Sequence, residues 1–277
     1  MLLAHEILGE GPRLLALAHG ILGSGHNLRG LARRLVERLP GWRALTLDLR
    51  NHGESRGAAA PHTLTACADD LVDTFAGLGA PQAILGHSFG AKVALAWAAQ
   101  AETPPRELWL LDAPIGARDR GTDTDGAREI EALLAALASV PVPISSRAAL
   151  VEALRERALP EAICQWMTTN LRPDGDGFCW RFELPGIAAM VDSFWRSDLW
   201  PAVAKLAPTT VTHLVRAGRG GRFSEAERAR VDDAAARGLL EELVIPHVGH
   251  WLHTEDPEAL LALMVPRLTA LGQGAQE

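Results

Sequence analysis

Residues 86–90 read Gly-His-Ser-Phe-Gly, which places a serine between two glycines at the spacing G-x-S-x-G. An apolar run at 83–85 precedes this pattern, and a helix-forming stretch at 91–97 follows it. That order predicts a strand, a sharp turn and a helix, with Ser88 held in a strained backbone at the helix N-terminus. Glycines are required because side chains there would collide with the neighbouring strand and helix. Ser88 is therefore the candidate nucleophile.

A serine hydroxyl is a weak nucleophile and needs a base within hydrogen-bond reach. Residues 243–251 predict a strand that ends in a loop, and His250 follows Gly249 in that loop. We therefore assign the base to His250. His247 and His253 compete for the role, and their three-residue spacing resembles that of metal ligands. No fourth ligand matches, and the glycine and strand end prevent a shared helical face, so we expect loop histidines and no metal.

The base needs an acid that holds its tautomer. The loop at 217–224 contains no carboxylate, and Glu225 and Glu227 come late enough to lie on a following helix as solvated charges. Asp112 lies at the carboxyl end of the strand predicted directly after the Ser88 unit, where sites collect in parallel sheets. We assign the acid to Asp112. Its alternative role is to cap the strand or make a structural hydrogen bond.

Negative charge on a substrate oxygen needs preorganised N–H donors. The Phe89 N–H, at the head of the helix after Ser88, is one candidate. The glycine-rich loop at 19–25 should supply the second, and we choose Ile21, with Leu22 as the alternative. A phosphate-binding loop is the other interpretation of this segment. It lacks both the Walker lysine and the G-x-G-x-x-G spacing.

Short apolar runs alternate with helical patterns through the first half of the chain, which predicts an α/β fold with parallel strands joined by crossover helices. The predicted strands are almost continuously apolar, as expected when both faces of a sheet are covered. They lie at Leu14–Ala18, Ala44–Asp48, Ala83–Gly86, Leu108–Asp112, Val211–Arg216 and Leu243–Ile245. Helices are predicted at Asn27–Leu39, Leu64–Leu78, Ala91–Gln100 and Pro257–Leu268.

The alternation stops between residues 114 and 206, where the pattern is mostly helical and is broken by prolines. We expect residues 1–113 and 207–277 to form the core and residues 114–206 to form an inserted helical cap, with helices at 127–137, 146–159 and 186–195. Half of the Phe and Trp residues fall in this insertion. Some of them must form its own core, and others would line an apolar pocket. The candidates for pocket lining are Leu22, Trp195 and Trp251.

With 277 residues, 48% of them hydrophobic, the chain can bury a large core. The formal charge of −7 repels phosphate backbones and anionic membranes, so we expect no nucleic-acid partner. Three widely spaced cysteines favour a reduced, cytoplasmic setting. The N-terminal residues lack the basic and apolar regions of a signal peptide, and no run reaches membrane-spanning length, so we expect no membrane insertion.

Together these segments resemble the α/β-hydrolase-fold serine esterases, and within them the branch of small bacterial acyl esterases and a mitochondrial hydrolase-domain protein. The similarity covers nearly the whole chain. The stretches that carry it are His19–Ser24, Asp48–Ser55, Gly86–Gly90 with Lys92–Ala94, Asp112–Pro114, Trp180–Phe182 and Gly249–His253. Arg50 and His52 within them are interpreted as structural. The glycine-arginine loop at 218–222 departs from the superfamily's usual acid-bearing pattern.

The resemblance implies an α/β-hydrolase fold with a mainly parallel eight-stranded sheet, a helical cap after the sixth strand, and hydrolysis through an acyl-enzyme without a cofactor. The expected substrates are small-molecule carboxylic esters or thioesters with short to medium acyl chains. Two alternatives remain. The same residues could act on a carbon-carbon bond, a lactone or a peroxide-forming reaction, or the fold could serve as a small-molecule-binding protein that hydrolyses little.

Overall fold

The computed structural model describes residues 1–118 and 125–273. Within this part of the chain the strands are β1 (His5–Leu8), β2 (Arg13–Ala18), β3 (Trp42–Leu47), β4 (Ala83–His87), β5 (Glu107–Leu111), β6 (Leu171–Asp174), β7 (Gly177–Trp180), β8 (Val211–Ala217) and β9 (Glu241–Ile245). The helices are α1 (Gly25–Arg38), α2 (Leu64–Leu78), α3 (Phe89–Gln100), α4 (Asp125–Ala138), α5 (Arg147–Arg155), α6 (Glu161–Thr168), α7 (Leu184–Arg196), α8 (Trp200–Leu206), α9 (Glu225–Ala236), α10 (Leu252–Glu255) and α11 (Pro257–Gln273).

Seven strands of the described chain form one sheet in the order β1-β3-β2-β4-β5-β8-β9. Strand β1 is antiparallel to β3, and all other neighbours are parallel. The expected α/β fold with a mainly parallel sheet is confirmed, although the described sheet has seven strands rather than eight. Strand β1 was not predicted, because its first three residues are exposed and alternate little in polarity.

The parallel register brings three loops together at one edge of the sheet. Ala18 pairs with Gly86 and His87 pairs with Leu111, so β2, β4 and β5 end at the same level. Every residue of β4 and β5 is buried, which agrees with their nearly continuous apolar sequence, broken by His87 at the end of β4 and Glu107 at the start of β5. The loops that follow these strands therefore meet, as the carboxyl ends of parallel strands do in open α/β sheets.

Helices cover both faces of the sheet and bury two separate clusters of apolar side chains. Helix α1 illustrates how the sequence produces this arrangement. Its buried residues recur at helical spacing, at Leu28, Leu31, Ala32 and Leu35, and Ser24 begins the helix in a capping box with Asn27. Helices α1 and α11 pack on one face, while α2 and α3 pack on the other.

The chain between β5 and β8 forms five helices, α4 to α8, and the two-stranded sheet β6-β7, as far as the described residues extend. Three of these helices lie where the sequence predicted them. The predicted helix at 146–159 ends early at Arg155, because the chain turns at Ala158, whose φ is 55°. Residues 119–124 of the expected cap and 274–277 of the expected core lie outside the described residues.

Two stretches of this inserted segment, one that follows β5 and one that precedes α8, lie side by side. The Arg118 N–H donates to the Trp195 carbonyl at 2.7 Å, and the Leu199 N–H donates to the Ile115 carbonyl at 3.1 Å. We call residues 115–118 and 194–199 the neck, since the segment leaves the sheet through the first stretch and returns through the second. The neck follows Asp112 directly, so it joins the inserted segment to the edge of the sheet where the loops meet.

Candidate active site

Ser88 lies in the turn between β4 and α3 with φ 52° and ψ −116°, a conformation that an L-residue adopts only under constraint. The constraint comes from two close backbone approaches. A Cβ on Gly86 would lie 2.2 Å from the Gly90 carbonyl oxygen, and a Cβ on Gly90 would lie 2.5 Å from the Ala18 carbonyl oxygen. The turn therefore requires both glycines, and it places the serine at the head of α3.

Asp112 and His250 meet although 138 residues separate them in sequence. His250 Nδ1 lies 2.8 Å from Asp112 Oδ2, while the Ala217 N–H donates to Asp112 Oδ1 at 3.1 Å. Asp112 is 1% exposed and has a φ of 45°, which turns its side chain beneath the His250 loop. This contact occupies Nδ1 of the imidazole, so Nε2 is the nitrogen left to act as a base.

Burial shifts the pKa of both partners toward their neutral forms. It raises the pKa of Asp112 to about 6, against the opposing effect of the Ala217 N–H. It also lowers the pKa of His250 well below its ordinary value, and the charge of Arg222 adds to this decrease. His250 is therefore an unprotonated base at neutral pH, which is the state that a serine nucleophile requires.

Ser88 and His250 line one cavity of about 930 Å³. Most of its remaining wall is apolar and comes from loops at the sheet edge and from helices of the inserted segment. Ile21, Phe89, Trp195 and Trp251 all lie in this wall. The structure therefore brings the expected nucleophile, base, oxyanion donors and two pocket residues to a single space, with Asp112 buried behind His250.

The loop after β2 lies directly against the serine. A Cβ on Gly20 would lie 2.9 Å from His87 Nδ1 and 3.4 Å from Ser88 Cβ. The Gly20 carbonyl accepts hydrogen bonds from the Gly23 N–H at 3.0 Å and from His19 Nδ1 at 2.7 Å. Because a peptide N–H points away from the carbonyl of the same plane, these bonds also fix the direction of the Ile21 N–H.

Leu22 does not have either of the roles considered for it. It is fully buried, is absent from the cavity wall, and its N–H donates to His52 Nε2 at 3.0 Å. A φ of 60° turns this residue away from the cavity and into the core. Leu22 is therefore a core residue, and the expectation that it lines the pocket or donates to a substrate oxygen is corrected.

Two buried histidines hold the loop after β2 and were not recognised as its support from sequence. His52 accepts the Leu22 N–H, and His19 Nε2 accepts the Leu49 N–H at 2.9 Å. Burial lowers the pKa of His19 to about 4 and that of His52 to about 3, so both are neutral acceptors at physiological pH. Arg50 is structural as interpreted, since it forms a buried ion pair with Asp70.

The other two histidines near His250 have different partners. His247 is exposed and pairs with Asp256 at 2.6 Å. His253 is buried, and its ring centroid lies 4.5 Å from that of His87. The His87 Nε2 donates to the His250 carbonyl at 2.8 Å and so supports the loop of the candidate base. Among residues 1–118 and 125–273, no cluster of three or more ligand-type side chains suits a metal ion.

Neither alternative carboxylate lies beside His250. Glu225 is exposed at the start of α9, and Glu227 is buried where it accepts the N–H groups of Ile115 and Gly116. The loop at 217–224, which contains no carboxylate, instead packs against Asp112. A Cβ on Gly220 in this loop would lie 3.3 Å from Asp112 Oδ2. A glycine at this point leaves room for the carboxylate that arrives from β5.

Comparison with known proteins gives the family. Residues 15–263 match the model of the alpha/beta hydrolase family. The chain is an α/β hydrolase. It also shares the fold of a marine microorganism esterase, with a TM-score of 0.83 and 20% identity, over 96% of this chain and 98% of that one.

Curated relatives include enzymes from bacteria and animals. The α/β hydrolase is 30% identical over 220 residues to esterase YbfF of Escherichia coli (strain K12), covering 78% of this chain and 79% of that protein. It is 27% identical over 239 residues to the sn-1-specific diacylglycerol lipase ABHD11 of Mus musculus, covering 82% of this chain and 71% of that protein. None of the described helices has the length and apolar character needed to cross a bilayer.

Proposed function

We propose that this α/β hydrolase cleaves carboxylic esters or thioesters through an acyl-enzyme on Ser88. The observation that carries the proposal is the 2.8 Å contact between Asp112 and His250, which lines the same cavity as Ser88. In the first step, His250 Nε2 takes the proton of Ser88 as the hydroxyl oxygen attacks the substrate carbonyl. Asp112 holds the tautomer and stabilises the imidazolium that forms.

The Ile21 and Phe89 N–H groups would hold the oxyanion of the tetrahedral intermediate. Both residues lie in the cavity wall, and Phe89 is the first residue of α3, where backbone N–H groups have no partner within the helix. When the intermediate collapses, His250 gives its proton to the leaving alcohol or thiol. It then removes a proton from a water molecule as the water oxygen attacks the acyl carbonyl. When this second intermediate collapses, the bond from the acyl carbon to the Ser88 oxygen breaks, His250 returns the proton to that oxygen, and the carboxylic acid leaves.

Short to medium acyl chains are the proposed substrates. A cavity of about 930 Å³ lies within the range of roughly 300–1,000 Å³ typical of small-molecule sites. The wall contributed by the inserted segment is largely apolar, as shown by Ile130 of α4, Ile163 of α6 and Trp195 of α7. We further propose that residues 114–206 act as a cap that excludes water from the bound acyl group.

A p-nitrophenyl ester assay tests the mechanism. We expect Ser88→Ala to lower kcat for p-nitrophenyl butyrate by about 10⁴-fold or more, since the nucleophile is lost. The matched control is Ser145→Ala, which makes the same change at an exposed position of the inserted segment and should keep full activity. Full turnover by Ser88→Ala would exclude the mechanism.

Two further measurements separate the alternatives. A fluorophosphonate probe should label Ser88 in the folded wild-type protein, with the site read by peptide mass. Absence of both labelling and turnover would favour a binding protein. Acyl esters and acyl thioesters from two to twelve carbons then give the preferred leaving group and chain length as kcat/KM. A maximum at the longest chains would contradict the proposed substrate size.

A further inference from the structure

A lysine with no part in the proposed mechanism lies fully buried in the helix that follows Ser88. Lys92 is 1% exposed. Its ammonium donates to the main-chain carbonyls of Gly116 at 2.8 Å, Phe194 at 2.9 Å and Ser197 at 2.8 Å. The ammonium also lies 4.4 Å from the centroid of the Phe194 ring. All three of its hydrogens therefore have acceptors.

These acceptors belong to both arms of the neck. Gly116 lies in the arm that leaves the sheet after Asp112, whereas Phe194 and Ser197 lie in the arm that returns. The hydrogen bonds between the arms join them to each other, but they do not join the neck to the core. Lys92 makes that second connection, because it projects from α3 and contacts both arms at once.

A buried carboxylate holds the neck from the other side. Glu227 of α9 accepts the N–H groups of Ile115 at 2.6 Å and Gly116 at 2.8 Å on Oε1, and the Trp200 indole N–H at 3.3 Å on Oε2. Gly116 is therefore bound at its N–H by the Glu227 carboxyl group and at its carbonyl by Lys92 Nζ. A Cβ there would lie 2.6 Å from Glu227 Oε2, so any larger residue would displace the Glu227 carboxylate from this position.

Two buried ionisable side chains cost desolvation free energy wherever they join packed elements. Burial lowers the pKa of Lys92 to about 7, and Glu227 gives the largest opposing effect. Well-packed apolar residues of similar volume often replace buried ions without loss of stability. Apolar residues make contacts without a preferred direction, whereas Lys92 and Glu227 make directional hydrogen bonds. Because these bonds go to main-chain carbonyl and N–H groups, they fix the orientation of the backbone of the neck.

That backbone carries part of the wall of the proposed acyl site. Phe194 and Trp195 line the cavity with Ser88, and the Phe194 ring lies 5.8 Å from the ring of Phe89 between centroids. The Lys92 bond is therefore made to the main chain of a residue whose own side chain lines the cavity. A shift of the returning arm would move both aromatic side chains together.

We propose that Lys92 and Glu227 form a clamp on the neck and that Lys92 is a positioning residue that sets the width of the acyl site. The proposal rests on the proposed hydrolysis at Ser88. Lys92 touches no reacting atom in this scheme. It acts through Phe194 and Trp195, so its loss should alter which acyl chains fit rather than the chemistry at the serine.

The test compares acyl chains in variants of the full-length protein. Lys92→Met removes the charge and all three donors at similar volume, and Lys92→Gln keeps two N–H donors on a shorter, neutral side chain. The matched control is Lys205→Met, because Lys205 is exposed on α8, where it donates to the Ala99 carbonyl and has no contact with the neck among the described residues. Each variant is assayed with p-nitrophenyl acetate and p-nitrophenyl octanoate, and its rate of labelling by a small fluorophosphonate is measured.

We expect Lys92→Met to lower the octanoate-to-acetate ratio of kcat/KM by about tenfold, mainly through KM, with labelling within about threefold of wild type. Lys92→Gln should give a smaller change in the same direction, and Lys205→Met should give none. Amide hydrogen exchange at residues 115–118 should be faster in both Lys92 variants. If a folded Lys92 variant has the same octanoate-to-acetate ratio of kcat/KM and the same amide exchange rates at residues 115–118 as the wild type, the clamp is wrong. If the wild-type protein is not labelled by the fluorophosphonate, the proposed function is wrong instead.

Discussion

Replacing Asp112 by asparagine should affect activity and stability in opposite directions. Asparagine has the shape of aspartate, and its Oδ1 can still accept the Ala217 N–H that now binds Asp112. Its amide nitrogen would then face His250 Nδ1, where the carboxylate lies at 2.8 Å. Because that nitrogen is a donor, it favours the tautomer that carries the proton on Nε2, so His250 loses its free lone pair toward Ser88.

The expected loss of activity follows from the wrong tautomer. A substitution of this kind lowers kcat by roughly 10⁴-fold in a serine protease, which corresponds to about 5 kcal/mol of transition-state stabilisation. The Ser88 hydroxyl and the oxyanion donors remain in place. We therefore expect weak residual hydrolysis of p-nitrophenyl butyrate rather than complete inactivity.

The expected gain in stability follows from the raised pKa. Asp112 titrates near 6 in the folded protein, compared with an ordinary value of 3.8. The ionised carboxylate therefore opposes folding above pH 6 by about 3 kcal/mol, and this cost vanishes below pH 3.8 where both states are protonated. Asparagine does not ionise. The free energy of unfolding of Asp112→Asn should exceed that of wild type by roughly 2 kcal/mol more at pH 8 than at pH 4, since about half a kcal/mol of the cost is already present at pH 4.

Urea unfolding at both pH values and steady-state kinetics measure the two effects on the same samples. Glu225→Gln is the matched control, since it makes the same chemical change at the exposed start of α9. It should alter neither quantity. A larger loss of kcat in Glu225→Gln than in Asp112→Asn would move the acid to the later loop. A less stable Asp112→Asn at pH 8 would refute the electrostatic reasoning.

Three other predictions follow from the site and its surroundings. Because burial lowers the pKa of His250, kcat/KM should stay constant on acidification until the pH falls below about 6.5, and a pH profile with its acid limb above 7 would contradict this. Gly20→Ala should lower kcat by at least about tenfold, since the new Cβ would lie 2.9 Å from His87 Nδ1. An unchanged kcat in this variant would show that the loop can shift without disturbing the geometry of the site. Leu22→Ala should lower the free energy of unfolding by roughly 2–5 kcal/mol in urea titration without changing acyl-chain preference, whereas an altered preference would return Leu22 to the pocket.

The sequence predicted the elements whose pattern is strongly periodic or continuously apolar. The helix Leu64–Leu78 was predicted with its observed bounds, and β4 differs from its prediction by one residue. The hairpin of β6 and β7 was missed, because each strand has four residues, Pro173 interrupts the first, and neither is well buried. Short, half-exposed strands leave no alternation long enough to recognise.

The candidate site residues Ser88, Asp112 and His250 were proposed from chain order and strand ends, and the structure brings Asp112 and His250 into contact beside the cavity that Ser88 lines. The supporting contacts were not predicted. Lys92 was quoted only as part of the family resemblance, because its acceptors are main-chain carbonyls up to 105 residues away and have no residue-type signature. Leu22 was misplaced because its positive φ, which reverses the direction of the side chain, is not encoded by residue type.

The two arms of the neck lie side by side, and this arrangement makes the segment between them replaceable. Since the Ile115 carbonyl already binds the Leu199 N–H, the distance that a replacement segment must span is fixed and short. A shorter loop or a different helical unit could join the same two points without disturbing β5 or β8. The part of the cavity wall that comes from the inserted segment can therefore be exchanged as a unit. The sheet and the residues at its edge would stay the same while the shape of the cavity changes.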